Sequence, residues 1–197
     1  MAPHVAALAE IARTSPEYQG HGWGCAWLED EGWRLHHDIA PIWEATPPPL
    51  GSSRLLLVHA RSAFRDEGIR IENNMPFFDG ERVFVFNGEL RGVRIREQGR
   101  IGAEKLFNYV KRFDKGDTGE AIRRCLGVVE KKTRYVRAMN FVLADRASCH
   151  YASWFNEDPD YFQLHRKAAH GLELVCSAPY PGEDDWERVA NHSVGSI

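Results

Sequence analysis

Val83-Phe84-Val85-Phe86-Asn87-Gly88-Glu89-Leu90 is the segment from which the rest of the chain falls into order. Four consecutive apolar residues, introduced by Asp79-Gly80, have the composition of a strand buried on both faces. Asn87-Gly88 then predicts that the strand ends there. Its plain reading is a turn, because both residues tolerate positive φ. A strand that ends in Asn-Gly also aims a side-chain amide and a backbone N–H at one point. A similar apolar run, Arg54 to His59, precedes it and leads into Arg61.

Nearer the N-terminus, Cys25-Ala26-Trp27-Leu28 and Trp33-Arg34-Leu35-His36 flank Asp30-Glu31-Gly32, which predicts a β-hairpin. Val5, Leu8 and Ile11 are spaced for a helix that stops near Thr14-Ser15-Pro16, since Pro disfavours helix at the residue before it. Pro41 and Pro47-Pro48-Pro49 mark an extended crossing closed by Gly51-Ser52-Ser53. Toward the C-terminus, Leu106, Phe107 and Val110, then Ile122, Leu126 and Val129, give two amphipathic helices over 103–113 and 119–129. Strands are expected at 139–144, 150–154, 161–165 and 172–176. Two groups of strands with helices before and between them predict an α+β fold of two sheets covered by helices, in a single domain over 1–197.

The chain has 197 residues, of which 43% are hydrophobic and 11% aromatic, enough to build a core. Lys plus Arg is 25 and Asp plus Glu is 28, a net charge of −3. With no basic excess to collect phosphates, nucleic acid is not expected as a partner. Apolar stretches such as Leu55 to Val58 fall far short of the roughly 20 residues that a membrane helix needs. No secretory signal is readable, so no membrane partner and a cytoplasmic location are expected.

Cys25, Cys125, Cys149 and Cys176 form no CxxC pair, and reduced thiols buried as small apolar groups are expected. The sequence holds no HExxH, and adjacent His36 and His37 on a strand point to opposite faces, so no metal site is expected.

Four clusters concentrate glycine, Asn, Arg and aromatic residues. They are Gly22-Trp23-Gly24, His59-Ala60-Arg61-Ser62-Ala63, Asn73-Asn74-Met75-Pro76-Phe77 and Phe86-Asn87-Gly88-Glu89-Leu90. Alone, each is weak. In this order and spacing, and with Cys176-Ser177-Ala178-Pro179, Trp186 and Val189-Ala190-Asn191-His192-Ser193 after them, the chain resembles the class II glutamine amidotransferases, nearest the small stand-alone members. The resemblance runs over about residues 4 to 193.

It implies an N-terminal-nucleophile hydrolase fold, a four-layer α-β-β-α sandwich. The implied chemistry is hydrolysis of the glutamine side-chain amide to glutamate and ammonia, with glutamine or a γ-glutamyl-type small molecule as ligand and no cofactor. In such enzymes an N-terminal Cys attacks the amide, and the chain's own α-amine acts as base. On this resemblance Asn87 and Gly88 match the oxyanion pair and Arg61 the clamp on the α-carboxylate, where a bidentate guanidinium suits a planar anion. Gly22, Trp23 and Gly24 match the loop where backbone approaches the substrate.

Two departures bear on activity. The chain opens Met1-Ala2-Pro3 with no Cys at position 2, as though the family's first strand were missing. Gly102 stands where the family carries Asp, and Met75 where it often carries His. Cys25, inside a strand beside Ala26 and Trp27, is expected to pack rather than to react. Three readings follow: an inactive chain of this fold acting as an amino-acid-binding or subunit protein, in an oligomer or with a partner subunit; an active enzyme whose recorded start is too late; and a metallohydrolase.

Overall fold

The computed structural model describes residues 1–169 and 171–197, and they divide into two compact units. The first comprises Met1–Val85 with Tyr180–Gly182, the second Phe86–Pro179 with Glu183–Ile197.

In the first unit, α1 (Ala2–Arg13) carries Pro at its start, where the missing N–H costs nothing. It buries Val5 and Ala12. Strands β1 (Trp23–Glu29) and β2 (Gly32–Asp38) form the expected hairpin, with Cys25 opposite His36 and Ala26 opposite Leu35. On its other side β1 pairs antiparallel with β3 (Leu56–Ala60), giving the order β2-β1-β3. Alternation divides this sheet's side chains. Trp23, Cys25 and Trp27 pack with Val5, Ala12 and Ile42, and α1 runs against β3. Gly24 lies on the opposite face, where the chain segment carrying Met75 crosses it.

β3 is an edge strand rather than the doubly buried strand its composition suggested; of its residues only Leu57 is fully buried. After two short 3-10 turns, Phe64–Asp66 and Ile71–Asn73, and a cis Met75–Pro76 peptide, β4 (Phe77–Phe78) pairs with the start of β5 (Val83–Val93).

In the second unit, β5 continues beside β6 (Thr133–Ala144), β7 (Cys149–Ser153) and β11 (Ser193–Ser196). Two amphipathic helices, α2 (Gly102–Lys111) and α3 (Thr118–Lys132), accompany this sheet, and α3 packs on β6, β7 and β11. Asp117 caps α3 by accepting a hydrogen bond from the Glu120 N–H at 2.8 Å. A separate sheet, in the order β10-β8-β9, is built from β8 (His165–Ala169), β9 (Leu172–Cys176) and β10 (Glu187–Arg188).

Three further expectations need correction. The described residues form three sheets, not two. Residues 159–162 form a helical turn, α4 (Pro159–Phe162), and the strand expected over 161–165 starts only at His165. The reason lies in Asp158, left-handed at φ 49°, followed by Pro159 at the helix start, which turns Phe162 inward onto Ala138 and Phe155. The third correction concerns Asn87-Gly88. β5 runs straight through both residues to Val93, and Gly88 is not among the glycines with positive φ. A two-residue Asn-Gly turn needs positive φ at both positions, so no turn forms.

Candidate functional site

Arg61 is anchored by its backbone before its side chain does anything. Its N–H donates to the Gly22 carbonyl at 2.9 Å, and its own carbonyl accepts from the His21 N–H at 3.0 Å. The guanidinium is thereby carried inward, and the residue is only 5% exposed. Nη2 donates to the Gly68 carbonyl at 3.0 Å and Nη1 reaches the Asn74 Oδ1 at 3.4 Å. Among the described residues no carboxylate pairs with it, and burial alone pulls its pKa below the ordinary guanidinium value. A buried cation held only by neutral acceptors is costly unless a ligand completes it.

The surroundings of Arg61 are themselves fixed. Asn74, 1% exposed, donates from Nδ2 to the Asp38 carbonyl at 2.7 Å, and Asn73 donates to the Gly68 carbonyl at 2.9 Å. The His21 Nδ1 accepts from the Ala63 N–H at 2.9 Å, and its Nε2 lies 3.4 Å from the exposed Asp66 carboxylate. Gly22 has φ +103°, and a Cβ there would sit 2.2 Å from the Asn74 Nδ2 and 2.7 Å from the Asp38 carbonyl oxygen. No other residue fits.

At Gly24 a Cβ would meet the Met75 carbonyl oxygen at 2.5 Å. Between these glycines the Trp23 side chain turns the other way. It is fully buried in the core beneath α1, its ring 5.1 Å from that of His36, so what this loop can offer a ligand is backbone. Arg61, Gly22 and Gly24 are thus brought together, with Asn74 as the residue between them that motif reasoning did not single out. The signal was present in Asn73-Asn74-Met75-Pro76-Phe77, but nothing in the sequence shows which Asn faces the guanidinium.

In the second unit, Asn87 is half-buried on β5, and its side-chain amide has no hydrogen-bond partner among the described residues. Gly88 is there for a different reason. A Cβ on it would lie 2.1 Å from the Ala138 carbonyl oxygen and 2.6 Å from its carbon, backbone atoms that cannot step aside. This close approach holds Asn87-Gly88 in place, and it leaves an unpaired amide donor beside a side-chain-free backbone.

No protein-family model matches the sequence, and no curated protein matches it. Among solved structures the similarity is clear. A glutamine aminotransferase class-II domain protein from Silicibacter pomeroyi matches at TM-score 0.66 and 18% identity, over 89% of this chain and 86% of that one. A predicted glutamine amidotransferase from Pseudomonas aeruginosa matches at TM-score 0.59 and 16% identity, over 89% and 83%. The fold is that of a class II glutamine amidotransferase domain. The glutamine phosphoribosylpyrophosphate amidotransferase of B. subtilis, complexed with ADP and GMP, matches at TM-score 0.62 and 17% identity. This chain spans 39% of that larger protein. The resemblance carried by the four clusters is therefore matched by structural neighbours, at identities that speak for the fold alone.

Within the class II fold of this chain, the thiols are quiet. All four cysteines are free, and Cys25, Cys125 and Cys149 are buried. Burial pushes each of these three up to about 12, and the Cys176 thiol is also raised, chiefly by burial. A nucleophilic Cys needs the opposite shift. Cys25 packs with Val5, Trp23 and Trp27, as expected of a small apolar residue.

Gly102 opens α2 with open space around its missing side chain, so no crowding explains a glycine there. Glu104 serves the helix: it takes the Arg100 guanidinium at 2.6 Å and the Arg100 N–H, and these hold its carboxyl below the usual range. Among the described residues no group of three His, Cys, Asp or Glu is placed to hold a metal ion, and no helix is long and apolar enough to cross a membrane. His37 is engaged with the Pro76 carbonyl at 3.0 Å, while His36 packs on Trp23.

The thiol shifts carry a stability consequence with a definite sign. An unfolded thiol loses its proton near pH 9, whereas the buried ones hold theirs until about pH 12. Their contribution is therefore complete below pH 9 and is lost as pH rises toward 12. Urea titrations between pH 8 and 11 should show stability falling with pH, with a shallower slope in Cys25→Ala. An unchanged slope would mean that Cys25 is ionised in the native protein.

Proposed function

We propose that this chain recognises glutamine, or a γ-glutamyl amide, a reading supported by its fold and by the motifs that resemble those of class II amidotransferases. Arg61 takes the ligand α-carboxylate, and by the same resemblance the Asn87 amide and the Gly88 N–H are donors suited to an amide carbonyl oxygen. The observation that carries this reading is the Arg61 guanidinium, 5% exposed and with no carboxylate partner among the described residues. A bidentate carboxylate satisfies such a group, and hydrogen bonds to a charged group contribute about 1.5–3 kcal/mol. The four-layer sandwich of the resemblance belongs to the same proposal.

In class II enzymes of this type the chemistry is hydrolysis of the amide through a Cys thioester. Asn87 and Gly88 would serve it by donating to the developing oxyanion, each donor being worth roughly 2.7–4 kcal/mol. The nucleophile is the part that these residues do not offer in activated form, since burial raises all four thiols above the ordinary value. The reading we favour for the chain as it stands is binding without turnover, as an amino-acid-binding or subunit protein.

Calorimetric titration tests this directly. L-glutamine should bind, and 4-aminobutanamide, which lacks the α-carboxylate, should bind at least about tenfold more weakly, the loss of one charge-assisted contact. A coupled ammonia assay on the same sample should stay at background. Equal binding of the two compounds would remove Arg61 from the reading, and steady ammonia release would overturn binding without turnover.

A further inference from the structure

Gly88 and Ala138 touch through backbone alone, and the residues on either side of that contact are joined a second time. Glu89 follows Gly88, Arg137 precedes Ala138, and the Arg137 Nη1 lies 3.6 Å from the Glu89 Oε2. The pair is shielded, with side chains 22% and 17% exposed. Arg137 is itself tightly placed. Its Nε donates to the Asp158 Oδ2 at 2.6 Å, and its guanidinium lies 5.8 Å from the Tyr161 ring centroid and 5.0 Å from that of Phe162. Its carbonyl accepts from the N–H groups of Asn156 and Glu157.

Around it the regular β6–β7 ladder has given way. Ala138 makes an isolated bridge to Phe155, and the Asn140 side chain takes the Trp154 N–H at 2.8 Å in place of a ladder partner. Backbone bonds persist on either side of Ala138, from the Asn156 and Glu157 N–H groups to the Arg137 carbonyl and from the Met139 N–H to the Trp154 carbonyl, and the Arg137 side chain adds a further tie between this stretch and β5. Glu89 is shared: its other oxygen is engaged by Arg91, an exposed residue. Arg137 is thus the half-buried cation that ties Glu89 to the strand whose carbonyl presses on Gly88.

We propose that Arg137 is a positioning residue for the Asn87–Gly88 pair. By holding Glu89 on one side of Gly88 and Ala138 on the other, it fixes the direction in which the Asn87 amide and the Gly88 N–H face. This rests on the oxyanion reading of that pair for its purpose, but not for its physical content, which is present without ligand. The Arg137 side chain touches no reacting atom, and its effect runs through Glu89 and Ala138.

The test is the position of the Asn87 side-chain amide resonances in the ¹H–¹⁵N spectrum of the full chain, assigned by their loss in Asn87→Ala. In Arg137→Ala they should move by several linewidths or broaden away. Arg137→Lys, which keeps a cation within reach of Glu89, should bring them part of the way back. Asp158→Asn weakens the shorter contact and should lower the melting temperature, yet leave the Asn87 signals in place. A merely structural arginine would affect both variants alike.

If the Asn87 signals in Arg137→Ala superimpose on those of the unmodified chain, or if Asp158→Asn moves them equally, the proposal is overturned. Should Arg137→Ala fail to fold, Arg137→Gln keeps the stem against Tyr161 and Phe162 and is read in its place. A glutamine titration of the unmodified chain, followed at the same signals, tests the oxyanion reading on its own. Its failure would leave the positioning result standing.

Discussion

Replacing Gly88 by alanine should cost about 3 kcal/mol of folding free energy or more, measured as a drop in the urea midpoint at constant slope. The added methyl would have to occupy space 2.1 Å from the Ala138 carbonyl oxygen, well inside contact distance. Relief requires moving β5 away from β6, and the Phe86 ring edge of the same strand, at 3.0 Å, would have to turn aside as well. Ordinary overpacking of a core costs about 1–3 kcal/mol because side chains can re-rotamer, and a backbone carbonyl has no such freedom. Against a total stability of about 5–15 kcal/mol the loss would be readily seen. A loss under about 1 kcal/mol would mean that the strands part easily at Ala138. Gly88 would then be free to vary for structural reasons.

The second large effect separates binding from stability. Arg61→Met should abolish most glutamine binding, about 10- to 100-fold, because a charge-assisted pair contributes about 1.5–3 kcal/mol. Arg61→Lys should recover only part of it, since an ammonium cannot offer the two parallel donors of a guanidinium. Unfolding measurements should nevertheless place Arg61→Met within about 1 kcal/mol of the parent. The hydrogen bonds to Gly68 and Asn74 are lost, roughly 1 kcal/mol each, but so is the burden of an uncompensated buried charge. A collapse in stability with binding intact would show that Arg61 is a structural strut.

How far the sequence could be read depended on the range of the forces involved. The helix and hairpin at the N-terminus, and the pair of amphipathic helices, depend on neighbours a few residues apart, and they were legible to within about three residues at their ends. The turn at Pro159–Phe162 was not. Tyr161, Phe162 and Leu164 look like strand residues, and only the combination of a left-handed Asp158 with a proline start, plus contacts to Ala138 and Phe155, makes them helical.

Arg61, Gly22 and Gly24 could be named from motifs, yet the reason for the glycines lies in a long-range contact. The Asn74–Met75 segment passes so close that a methyl group has nowhere to go. Asn74 itself was hidden for that reason, since the chemical type of two adjacent asparagines is identical. At Asn87-Gly88 local propensity argued for a turn, and tertiary pairing overrode it.

That last override affects how the protein ages. Asn-Gly is the dipeptide most prone to spontaneous deamidation, in which the glycine nitrogen attacks the asparagine side-chain carbonyl, expels ammonia and closes a succinimide ring that water then opens to a carboxylate. Ring closure needs the backbone to fold back on itself. β5 holds Asn87 and Gly88 extended, with the glycine pressed against Ala138. The native strand is therefore a preservative, and any population that loosens β5 starts a chemical clock. Each event would replace a neutral amide donor with a carboxylate, reversing the polarity offered at that point.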